Sequence, residues 1–114
     1  MDVSHSNPNP KAIQLAQRYA MALKRREINY KNIILYGSQA RGTADFESDY
    51  DLLVIIDEIG PQTREAIVDE AYNLSLEEDA VIIAIPCTVK EFNSPLFQAD
   101  NFYRNIKNDG VVIS

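Results

Sequence analysis

Residues 33–57 read IILYGSQARGTADFESDYDLLVIID, and the two apolar runs in this stretch, with what separates them, decide the fold. Ile33-Ile34-Leu35-Tyr36 is a short continuous apolar run that stops at Gly37, the pattern of a buried strand. Asp49 to Asp57 is a second strand, rich in branched apolar residues but opening on acids. Between them, residues 38–48 are small and polar and predict a turn, with room for one short helical turn, and then loop. Two strands in succession with only a loop between them point to an α+β fold rather than strict alternation.

Outward from this stretch the pattern is helical. Upstream, Ala12, Leu15, Ala16, Tyr19 and Leu23 recur at three- and four-residue spacing, while Gln14, Gln17, Arg18 and Arg25 face elsewhere. Asn9 is placed to cap that helix, with Pro10 at its first position and Lys24-Arg25-Arg26 at the end that favours cations. Downstream, Gly60-Pro61 ends the second strand, and Ala66, Ile67, Ala71 and Leu74 mark a helix over 63–76. A third strand is expected over Ala80 to Pro86. Thr88 with Glu91 three residues on has the form of a capping box opening a short helix. One last helix is expected over Pro95 to Lys107, then Val111-Val112-Ile113 as an extended end. The resulting expectation is a small mixed β-sheet flanked by helices, with a flexible lead-in over residues 1–9 and one domain over 10–114.

Composition narrows the function classes. A chain of 114 residues holds one domain with one real core. Its 46% hydrophobic and 25% charged residues are those of an ordinary globular protein. With 11 Lys+Arg against 17 Asp+Glu the formal net charge is −6, which opposes a broad nucleic-acid-binding surface. The single cysteine, Cys87, cannot form an internal disulfide and fits a reducing compartment. The opening MDVSHSNPNP has neither a basic nor an apolar segment of a signal peptide, and no apolar run approaches membrane-spanning length. A cytoplasmic protein with no membrane association is expected.

The chemistry is concentrated between Gly37 and Asp51. Where a strand ends in Gly37-Ser38, the turning backbone presents N–H groups that a phosphate can approach closely, and Arg41-Gly42 adds a cation and a second flexible point. Asp49 and Asp51 open the second strand, and side chains two apart share a face. Two carboxylates on one face repel unless a cation lies between them, and such oxygen ligands suit Mg²⁺ together with substrate phosphates. Each piece alone has a plainer reading: a turn, a solvated strand end, a surface charge. Their combination at the matching ends of two apolar strands is what a purely structural account explains weakly.

These residues resemble a known family. GSQARGTADFESDYD fits the Gly-Ser, ten residues, Asp-x-Asp signature of the DNA polymerase β-like nucleotidyltransferase superfamily, and the small size resembles its minimal nucleotidyltransferase (MNT) branch. The tail EFNSPLFQADNFYRNIKNDGVVI is similar to the C-termini of that branch. The resemblance implies a polymerase β-like core in which an acceptor hydroxyl attacks the α-phosphate of a nucleoside triphosphate and pyrophosphate leaves. It implies that Gly37 and Ser38 hold the β- and γ-phosphates and that Asp49 and Asp51 ligate two Mg²⁺ ions, with ATP as donor. It also implies a third carboxylate on a neighbouring strand. Asp79 is the candidate, since strand alternation through AVIIAIP would put it on the face of Val81, Ile83 and Ile85, with a polar residue at the strand's start as the alternative for it. Ser48, directly before the acids, is a candidate phosphate contact or a plain strand-start hydroxyl.

Other residues keep structural readings. His5 lies in the lead-in, Cys87 lacks a histidine partner, and Tyr30, Tyr36, Phe92, Phe97, Phe102 and Tyr103 fall at apolar spacings as core or interface. A chain this short has little room for an acceptor-binding domain, so the acceptor is expected on another macromolecule. In the MNT branch the implied partner is a HEPN-domain RNase toxin, with this protein as antitoxin transferring AMP to a hydroxyl, in a homo- or hetero-oligomer. The competing readings are a nucleotide-binding module that neutralises its partner by occlusion, and a small-molecule nucleotidyltransferase.

Overall fold

The computed structural model describes residues 8–45 and 49–114. Helix α1 (Pro10–Arg25) begins as its sequence predicts: the Asn9 side chain accepts from the Lys11 N–H, Pro10 stands in the first turn, and Lys24 and Arg25 occupy the last. Strand β1 (Tyr30–Tyr36) follows, then a single helical turn, α2 (Ser38–Arg41), and strand β2 (Tyr50–Ile56). Helix α3 (Pro61–Glu78) leads to β3 (Ile82–Thr88), and the chain closes with α4 (Val89–Phe92), α5 (Pro95–Gln98), α6 (Asn101–Asp109) and β4 (Val111–Val112).

The strands form one four-stranded mixed sheet in the order β3-β2-β1-β4. The β1–β2 and β1–β4 pairs are antiparallel, and β2–β3 is parallel. Alternation along β1 and β2 sends side chains to two cores. On one face Ile33, Leu35, Leu52, Val54 and Ile82 pack against α1 and α3. On the other, Ile34, Tyr36, Leu53 and Ile55 meet Cys87, Ile106 and the rings of Phe92, Phe97 and Phe102. Helix α1 is locked to α3 by the buried Tyr19 hydroxyl, which donates to the Ile67 carbonyl at 2.7 Å. Cys87 is a buried free thiol of the second core. No helix among the described residues is long and apolar enough to cross a membrane.

Of the boundaries that differ from the sequence reading, two have a clear local reason. The single helix expected over Pro95 to Lys107 is two helices, because the Asp100 side chain accepts from the Phe102 N–H and restarts the chain as an N-cap. The third strand begins at Ile82 rather than Ala80. Asp79 is in the left-handed conformation (φ 51°, ψ 49°) as the C-cap of α3, and the N–H groups of both Asp79 and Ala80 return to the Ser75 carbonyl. The Thr88–Glu91 capping box is present as read.

Candidate active site

At the end of β1 the backbone turns through Gly37 at φ +78°, ψ −161°, a region closed to residues with a Cβ except under strain. Ser38 opens α2 immediately afterwards, so its N–H has no acceptor within the helix. The Ala40 and Arg41 N–H groups bond to the Gly37 carbonyl at 3.1 Å, and the Thr43 N–H to the Ser38 carbonyl at 3.1 Å, closing a tight turn that ends at Gly42 in the left-handed region. The turn is held from behind by Gln39, only 1% exposed: the Asn9 backbone N–H donates to its carbonyl at 3.0 Å and the Asn9 side chain to its Oε1 at 2.8 Å. The residue capping α1 therefore also fixes the turn after β1.

Asp51 stands second on β2, with Tyr36 of β1 and Ile83 of β3 as its neighbours in register. Its carboxylate lies directly against Gly37, so close that a Cβ at Gly37 would sit 2.5 Å from Oδ2. Partial burial, and after it the charge of Asp49, raise the Asp51 carboxyl above its ordinary range, while Arg41 opposes the shift. Asp49, exposed just before β2, is thus electrostatically coupled to Asp51, as their spacing on one face requires. Arg41 is held near the pair by an ion pair to Asp109 at 3.4 Å, from the end of α6. Tyr36 flanks the site with its ring edge-on to Phe102 (5.3 Å, 85°); burial and then the charge of Asp51 push its phenol up to about 12.

Gly37, Ser38, Arg41, Asp49 and Asp51 are therefore gathered at one end of the sheet. Ser48 lies outside the described residues. Asp79 is not brought to the acid pair: as the exposed C-cap of α3 it precedes β3, and the strand alternation expected to turn it toward the site starts only at Ile82. Among the described residues no three His, Cys, Asp or Glu side chains stand close enough to hold a metal ion together. The donor set that is present, two coupled carboxylates of which one is partly desolvated, suits a hard divalent cation that takes further oxygens from a ligand.

The sequence reading missed two residues that shape the site. Gln39 carried no signal within a polar loop, and its burial depends on a contact 30 positions away. Asp109 lies in the Asn108-Asp109-Gly110 stretch that follows the last expected helix, and nothing local marks it as the partner of Arg41.

The chain matches the family of nucleotidyltransferase domains over residues 17–113. It is 35% identical over 83 residues to "Putative protein adenylyltransferase MJ0604" of Methanocaldococcus jannaschii, a match spanning 73% of this chain and 77% of that protein. Among solved structures, a toxin–antitoxin with AMP-PNP superposes with a TM-score of 0.58 at 21% identity, over 86% of this chain and 72% of the other. A tri-AMPylated Shewanella oneidensis HEPN toxin in complex with MNT antitoxin superposes with a TM-score of 0.54 at 17% identity, over 90% of this chain and 71% of the other. At these identities the two structural likenesses are likenesses of fold.

Proposed function

We propose that this chain, which belongs to the nucleotidyltransferase domain family, transfers AMP from ATP to a hydroxyl on a HEPN-domain toxin and so acts as its cytoplasmic antitoxin. The observation that carries this reading is the packing of the Asp51 carboxylate against Gly37, which joins the Gly37-Ser38 turn to an acid pair. In it Gly37 and Ser38 receive the β- and γ-phosphates through backbone N–H groups, and Ser48 is a further phosphate contact. Arg41, oriented by Asp109, supplies positive charge beside the triphosphate. Asp49 and Asp51 hold Mg²⁺, which when bound neutralises the charge of the triphosphate and of departing pyrophosphate. The rest of the expected rate comes from placing the acceptor oxygen in line with the α-phosphorus. The likeness to an adenylyltransferase and to the fold of two toxin–antitoxin structures supports the choice of nucleotide and partner.

The test is transfer of label from α-³²P-ATP to the HEPN protein purified in complex with this chain. Label on the partner that disappears on chelation of Mg²⁺ is the expected result. No label, with both proteins folded and the complex intact, overturns the reading. One observation favours a second reading, in which the chain neutralises its partner by occlusion: no carboxylate on β3 faces the acid pair. An Asp49→Asn, Asp51→Asn double variant separates the two, since it protects cells from the toxin only if neutralisation needs no transfer.

A further inference from the structure

The register of β3 on β2 identifies what stands where a third metal ligand would have to be. Neighbouring strands lie about 4.8 Å apart, and residues paired in register project to the same face. Asp51 pairs with Ile83, and Leu53 with Ile85. One step toward the acid end, the Tyr50 N–H donates to the Val81 carbonyl, which puts Val81 alongside the start of β2. The side of β3 that flanks Asp51 therefore reads Ile83 and Ile85, with Val81 just before the strand beside the start of β2, and these large hydrophobics are left 38%, 38% and 55% exposed. From the other side β1 contributes Tyr36, whose ring stands edge-on to Phe102 and which brings no carboxylate.

A pair of divalent cations needs anionic oxygens for each, with the ions about 3.5–4 Å apart. Mg²⁺ is typically bound by one or two carboxylates, the remaining positions being filled by water and substrate phosphates. Two carboxylates and a triphosphate satisfy one such ion. A second would have to stand toward β3, against aliphatic side chains that offer no oxygen ligand. We infer that this site holds one divalent cation with its nucleotide, not two, and that Ile83 occupies the position at which an acidic side chain would create the second.

The inference rests on the proposal that Asp49 and Asp51 hold the cation bound with ATP, and its test separates the two. Mn²⁺ is titrated into the full chain in excess over AMP-PNP, and free Mn²⁺ is followed by electron paramagnetic resonance, so that bound ions are counted per nucleotide without turnover. Wild type is expected to saturate at one ion, Ile83→Asp at two, and Ile83→Asn, which carries the same polar cost without the charge, at one. Two ions in the wild type overturn the inference, whichever residue supplies the ligands. So does one ion in an Ile83→Asp variant that unfolds at the wild-type temperature. If Ile83→Asp does not fold, Val81→Asp, at the more exposed neighbouring position, takes its place with the same expectations. The Asp49→Asn, Asp51→Asn double variant tests the premise: if it binds AMP-PNP and Mn²⁺ as wild type does, the acid pair is not the cation site and the underlying reading fails instead.

Discussion

Gly37 and Asp51 are packed so tightly that the space for a Cβ on the first is already taken by Oδ2 of the second, 2.5 Å away. The two residues sit on antiparallel neighbours, one past the end of β1 and one near the start of β2, so the hairpin itself brings the Gly37-Ser38 turn and the Asp51 carboxylate together. Gly37→Ala must either move the carboxylate or open the turn, and it also forces a Cβ into a φ of +78°. Strain of this kind costs about 1–3 kcal/mol. The expected result is a fall in unfolding temperature of roughly 4–8 °C per kcal/mol for a domain of this size, together with loss of nucleotide binding by calorimetry.

Asp51→Asn is expected to stabilise the free protein while abolishing cation binding. Burial and Asp49 raise the Asp51 carboxyl above its unfolded value, so folding favours the protonated form. The sign follows: stability from this group is fully present below the ordinary carboxylate pKa and is lost as pH rises through the raised, folded value. Unfolding temperatures of the metal-free wild type should fall across that window more steeply than those of the Asn variant. A variant that is less stable than wild type at neutral pH contradicts this account of the site.

Arg41→Ala is expected to weaken ATP binding about tenfold, the scale of a hydrogen bond to a charged group. Its pairing with Asp109 is largely solvent-exposed, so the unfolding free energy should change by no more than about 1 kcal/mol. Asp109→Asn should reproduce a smaller part of the binding loss without removing the guanidinium. Equal ATP affinity in all three proteins would show that Arg41 is a surface charge, the plainer reading of that residue.

What was legible in the sequence is what local pattern encodes. The apolar runs gave β1 and β2, three- and four-residue spacing gave α1, and Asn9-Pro10 and Thr88–Glu91 marked helix starts that the structure keeps. Asp79 was misplaced because parity counting assumes an unbroken strand, and a residue in the left-handed region at a helix end resets the count. The split at Asp100 was missed because an acid within an aromatic-rich run reads as helix until its side chain is seen to cap. The partners of Gln39 and Arg41 are 30 and 68 residues distant, and the pairing of Asp51 with Ile83 depends on strand register. Such relations are set by tertiary packing, so no local signal could have supplied them.

Gly60 is a position where the fold leaves stability unused. It caps α3 with φ −90° and ψ 173°, a conformation open to any residue, and no side-chain bond reaches the first turn of the helix. A Cβ there meets nothing within 4 Å. Serine at this position can accept a hydrogen bond from an N–H of the first turn, and the substitution also removes conformational freedom from the unfolded chain. The two effects together should add about 0.5–1 kcal/mol, read as a higher denaturation midpoint in urea at unchanged slope. Gly60 stands at the opposite end of β2 from Asp51, so nucleotide affinity and cation count should be those of the wild type. Loss of either on Gly60→Ser would mean that the start of α3 communicates with the acid pair, against the separation that the sheet imposes.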